Sequence, residues 1–77
     1  MQQAALHGGT IIRRIREHRR MTQEELCLIM PRLSLRTLRR YESLETEPGF
    51  SEVFQICSYA FNVELREAIQ IAQEYNS

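Results

Sequence analysis

The sequence predicts an all-α domain, a compact bundle of five short helices. Three observations carry this. Apolar residues recur at i, i+3, i+4 spacing along most of the chain. Short polar stretches with serine, threonine, glycine or proline interrupt these stripes. The 77 residues, 43% of them apolar, are enough for one core and too apolar for a disordered chain.

Each element has its own signals. Residues 1–9 are small and polar, end in Gly8-Gly9, and read as a flexible arm ahead of a folded domain over 10–77. Thr10 is placed to cap a first helix over 11–19, whose stripe is Ile11, Ile12 and Ile15. Five arginines (13, 14, 16, 19 and 20) surround that stripe. Thr22 caps a second helix over 22–29. Glu25 completes a capping box and Met21 is a staple for Leu26. Leu26, Ile29 and Met30 share a face, and Pro31 stops the helix. Ser34 caps a third helix over 35–42, with Leu38 and Tyr41 pointing inward and Leu33 as its staple. Two short helices joined by Met30-Pro31-Arg32-Leu33 match a helix-turn-helix pair. Residues 43–49 form a loop. A fourth helix over 50–60 carries Phe50, Val53, Phe54, Cys57, Ala60 and Phe61, and Asn62 ends it in the left-handed conformation. A fifth over 64–74 has the stripe Leu65, Ile69, Ala72, widened by Ala68 and Ile71. That breadth fits either a satisfied core or a second subunit.

Charge is unevenly placed. Residues 1–40 carry nine arginines and three glutamates; residues 41–77 carry one arginine and seven glutamates. The formal charge is zero, yet the two halves differ in sign, and the local field is what steers a charged partner. Cys27 and Cys57 make no disulfide framework and, with His7 and His18, no metal-ligand spacing, so they read as small apolar groups. With no aspartate and no catalytic arrangement of serine, cysteine and histidine, the sequence does not read as an enzyme, and it implies no cofactor. It has neither a membrane-length apolar run nor a signal peptide, so a cytoplasmic, nucleoid-associated location is expected.

The pieces IRRIREHRRMTQEEL and LSLRTLRRYE, followed by Pro48 ahead of FSEVFQICSYAFNV, occur in a telling order. Over about residues 10–65 the chain resembles the phage repressor/Cro-type helix-turn-helix family. The resemblance implies that helix 34–42 enters the DNA major groove while the second helix crosses the backbone. It implies that Leu35, Arg36 and Thr37 face outward, with Arg39 and Arg40 one turn on, and that Gln23 contacts the edge of the site. It also implies that Arg16 pairs with Glu42 to hold the fold. There are departures. Cys27 stands where alanine is usual. The turn has no glycine and holds Pro31, in an interval one residue longer than usual. Leu35 is apolar where a polar reader is common. Glu45 and Glu47 make the following loop acidic, which repels phosphate.

The expected DNA-binding set is therefore Gln23, Arg32, Leu35, Arg36, Thr37, Arg39 and Arg40. Arg36 and Arg40, four apart, share a face, and at least one is expected to grip guanine O6 and N7. Leu35 suits a thymine methyl. Thr37, Arg39 and Arg32 suit phosphates, which position without choosing sequence. The expected function is sequence-specific binding of double-stranded DNA by a transcriptional regulator, a repressor by family habit. It would act as a homodimer, with a further regulatory domain or protein partner allowed. The alternative is a protein-interaction module of the same fold, binding another regulator through its acidic C-terminal half.

Overall fold

The computed structural model describes residues 6–75. Among them are five α-helices and no strand: α1 (Gly8–His18), α2 (Gln23–Ile29), α3 (Leu35–Glu42), α4 (Phe50–Gln55) and α5 (Leu65–Glu74). A π-helical turn, Ile56–Ala60, extends α4. The all-α five-helix bundle is thus the architecture observed.

The start of α1 differs from expectation. Residues 1–5 of the expected arm lie outside the described residues, but Gly8-Gly9 belong to the helix. The cap is His7, whose Nδ1 accepts from Gly9 N–H at 2.9 Å, and Thr10 lies inside the helix. Glycine's poor helix propensity favours a loop here. Close packing overrides it. Both glycines are buried, and a Cβ on Gly9 would collide with the Tyr41 carbonyl oxygen.

α1 and α3 end alike. After α1, Arg20 N–H bonds to Glu17 O and Met21 N–H to Arg16 O, with Arg20 at φ 57°. After α3, Leu44 N–H bonds to Tyr41 O and Glu45 N–H to Arg40 O, with Leu44 at φ 68°. These are Schellman motifs built on non-glycine residues. α2 begins with the expected capping box: Thr22 Oγ1 accepts from Glu25 N–H at 3.0 Å and Glu25 Oε1 accepts from Thr22 N–H at 2.7 Å. The link to α3 dispenses with glycine. Leu33 N–H closes on Met30 O at 2.8 Å, and no residue from 30 to 33 has a positive φ. Pro31 sits at the second turn position, where its preset φ suits a type I or II turn.

α1 packs against α3, α4 and α5, and α2 packs on α3. Ile12, Ile15, Leu26, Leu38, Ile56, Cys57 and Phe61 are fully buried between them. Three apolar positions depart from the expected stripes. Phe50 and Phe54 are exposed, because the core row of α4 and the π turn runs through Val53, Ile56, Cys57 and Phe61. Val53, Ile56 and Cys57 share one face at ordinary helical spacing, and the π turn, closed by Phe61 N–H to Ile56 O, carries that buried row on to Phe61. Ile29 is also on the exposed side of α2, where only Leu26 is buried. In α5 the innermost residues are Ala68 and Ala72, with Leu65, Ile69 and Ile71 half-buried. Small side chains there let the α5 backbone approach α1: Arg14 Nη1 donates to Ala72 O at 2.8 Å.

Two buried acids prefer their neutral forms. Burial pushes the Tyr41 phenol up to about 12, helped by its 2.7 Å hydrogen bond to Glu52 Oε1. Burial alone raises the Cys57 thiol to about 11. Groups whose pKa rises on folding stabilise the fold fully below their unfolded values, 10.0 and 9.0, and less as pH climbs through the folded ones. Stability is therefore expected to hold to about pH 9 and fall towards about pH 12. Tyr41→Phe should retain only the Cys57 part of that fall. Urea titrations at neutral and alkaline pH check this, and an undiminished fall in the variant removes Tyr41 as a cause.

Candidate nucleic-acid interface

The outer face of α3 is positioned by its own sequence. Ser34 Oγ accepts from Thr37 N–H at 3.1 Å and donates to Thr37 Oγ1 at 2.9 Å, fixing the first turn. Leu38 and Tyr41 are buried beneath, so the 3.6-residue repeat leaves Arg36, Arg39 and Arg40 exposed. Leu35 and Thr37 are half-buried at the edges of that face. The helix bounds match the expectation residue for residue.

The C-terminal end of α3 is clamped. Arg16 grips Glu42 with two hydrogen bonds, Nε to Oε2 at 2.8 Å and Nη2 to Oε1 at 2.7 Å. Its Nη1 donates to Met21 O at 2.8 Å, so one guanidinium ties α1, the lead into α2 and α3 together. Only 11% of the Arg16 side chain and 4% of the Glu42 side chain are exposed. The hydrogen bond to Glu42 raises the Arg16 pKa, partly opposed by burial. The pair expected from the resemblance is therefore present, and it is bidentate.

Gln23 joins the same cluster. Its Nε2 donates to Glu42 Oε1 at 3.1 Å, and its Oε1 is 3.5 Å from Arg39 Nε. Arg39 Nη2 in turn lies 3.7 Å from Glu24 Oε2. Arg40 Nε lies 3.5 Å from Glu45 Oε1. Of the seven expected site residues, Gln23 and Arg39 thus meet directly, with Glu42 against Gln23 and Glu24 against Arg39. Leu35, Arg36, Thr37 and Arg40 share α3. Arg32 stands exposed in the turn, beside a groove of about 430 Å³ that Leu33, Ile56 and Tyr59 also line. Arg32 and Arg36 have no ion pair among the described residues.

In the sequence Glu24 has no assigned role and Glu45 only that of repelling phosphate; both stand against the arginines of the second turn. For Glu45 a signal existed, since it lies five residues after Arg40 across a helix end. Glu24 meets Arg39 only through the packing of α2 on α3. Arg14, grouped with the surface arginines of α1, turns inward to the end of α5.

The arrangement is a short helix with a basic outer face, an apolar inner face and an ionic clamp at one end, preceded by a capped helix and a four-residue turn. No helix among the described residues is long and apolar enough to cross a membrane. No curated protein and no solved structure gives a significant match to the chain. A family model described as helix-turn-helix matches residues 12–67, which takes in α2, the turn and α3 together with most of α1 and the start of α5. The chain belongs to the helix-turn-helix family.

Proposed function

We propose that the protein is a sequence-specific DNA-binding transcriptional regulator of the phage repressor/Cro type, reading the major groove with α3. The observation that carries this is the outer face of α3. Arg36 is exposed there without an ion pair among the described residues, and Arg39 and Arg40 follow one turn on. The inner face and the Arg16–Glu42 clamp make that presentation rigid. A helix so held can place a guanidinium at a base edge reproducibly, which is what direct readout needs. The action is by occupancy, as a repressor, with no chemistry.

Arg36 is assigned to guanine and Leu35 to a thymine methyl. Arg32, Thr37 and Arg39 are assigned to phosphates, and Arg40 to either. Gln23 both supports Arg39 and sits at the α2 start, where that helix crosses the backbone. Arg36→Ala is expected to cost roughly 1–3 kcal/mol at one base position and relax preference there. Arg39→Ala is expected to weaken all duplexes alike and shrink the salt slope. Binding titrations against single-base operator variants at several salt concentrations separate the two, and a uniform loss for Arg36→Ala would reassign it to phosphate.

A homodimer belongs to this proposal, since one module gives limited contact area. Leu44, Phe50 and Phe54 leave apolar surface exposed after the C-terminal end of α3, and Leu44 does so at a positive φ. Covering these side chains with a second copy would remove apolar surface from water. The protein-interaction alternative draws on Glu24 and Glu45, which offset part of the basic face.

A further inference from the structure

The arginines of α3 are not equivalent. Arg36 has no ion pair among the described residues, whereas Arg39 faces Glu24 at 3.7 Å and Arg40 faces Glu45 at 3.5 Å. The two glutamates come from different elements, Glu24 from α2 and Glu45 from beyond the end of α3. Both are open to solvent. Side-chain exposure is 58% for Arg39 and 64% for Glu24, and 53% for Arg40 and 64% for Glu45. Such pairs are weak and easily exchanged.

We propose that Glu24 and Glu45 temper DNA affinity by holding Arg39 and Arg40 in ion pairs which a duplex must open. The inference rests on the DNA-binding reading of α3. Non-specific binding is almost wholly a matter of cations meeting phosphates. For Arg39 and Arg40 that meeting exchanges one anion for another, so the net gain is small. Arg36 faces no such exchange, and its contact with a matching base keeps its full value. The two glutamates therefore penalise backbone binding more than base reading. Their position also explains how an acidic loop can follow a DNA-reading helix: Glu45 competes with DNA for Arg40 and does not simply block approach.

A pre-organising role for the same pairs predicts the opposite sign, because losing the glutamate would then loosen the arginine and weaken binding. The test is fluorescence-anisotropy titration of the whole chain with two probes, an operator enriched by selection and a duplex of unrelated sequence, at several potassium chloride concentrations. Glu24→Gln and Glu45→Gln are each expected to raise affinity for the unrelated duplex by about three- to tenfold at low salt. Glu24→Gln should raise operator affinity by a similar factor, since Arg39 meets phosphate in both complexes. In an Arg39→Ala background the Glu24→Gln gain should shrink below about twofold, because the competing partner is gone. An equal gain in that background overturns the proposal and makes Glu24 a generally repelling charge. Unchanged or weaker binding to the unrelated duplex also overturns it, while an intact operator complex leaves the DNA reading standing. Absence of binding to any duplex by wild type and variants alike removes both. Circular dichroism should show unchanged helix content, since the substituted side chains are exposed.

Discussion

Gly9→Ala is expected to destabilise the domain by roughly 3 kcal/mol or more. The cause is a backbone contact. The added methyl would occupy the space of the Tyr41 carbonyl oxygen, and that oxygen cannot rotate away as a side chain can. α1 and α3 would have to move apart. That movement would pull Arg16 from Glu42 and uncover Ile12 and Ile15. Alanine's better helix propensity, about 1 kcal/mol, offsets only part of this. Gly8→Ala is the control. Its methyl meets the Pro48 ring and the stiff, buried Val53 side chain, so it too costs stability, but no backbone atom lies in its way and a smaller loss is expected. Chemical denaturation of the two variants checks the order. A Gly9→Ala protein as stable as wild type contradicts the packing described for α1 on α3.

Glu42→Ala is expected to cost about 3–5 kcal/mol. It strands three donors at once: Arg16 Nε, Arg16 Nη2 and Gln23 Nε2. An uncompensated guanidinium in a site where Arg16 is 11% exposed bears most of that cost. Replacing both partners by apolar residues, Arg16→Met with Glu42→Leu, should recover much of the loss, because no charge is left stranded. The double-mutant cycle measures this directly. Function should suffer beyond stability. Gln23 loses its anchor, and with it Arg39 loses one of its two neighbours. A Glu42→Ala protein within about 1 kcal/mol of wild type would show that the clamp does not organise α3.

The helix-turn-helix core was legible where local chemistry decides. Ser34 and Thr22 are strong caps, so α3 and the capping box of α2 stand where the sequence placed them. Asn62 takes the left-handed conformation expected of it, at φ 56°. The Arg16–Glu42 pair came from resemblance, since nothing local links residues 26 apart. What was not legible depends on distant partners. Gly8-Gly9 read as a loop because their propensity says so, and only the Tyr41 carbonyl, Pro48 and Val53 explain why they are helical. Phe50 and Phe54 fit one helical stripe, but the face that docks on the core is the neighbouring one through Val53, Ile56 and Cys57, which tertiary packing selects. The Glu24–Arg39 pair needed the docking of α2 on α3. Pro31, which seemed a departure, makes a turn that needs no glycine.

The central claim is that α3 selects a base sequence and that Arg36 is one of its readers. Selection from random duplex DNA, run in parallel with the wild-type chain and with Arg36→Ala, tests it most directly. An enriched motif is expected for wild type, and the same motif with one base position relaxed for the variant. No enrichment by the wild-type chain at low salt, or an identical motif for both proteins, would contradict it.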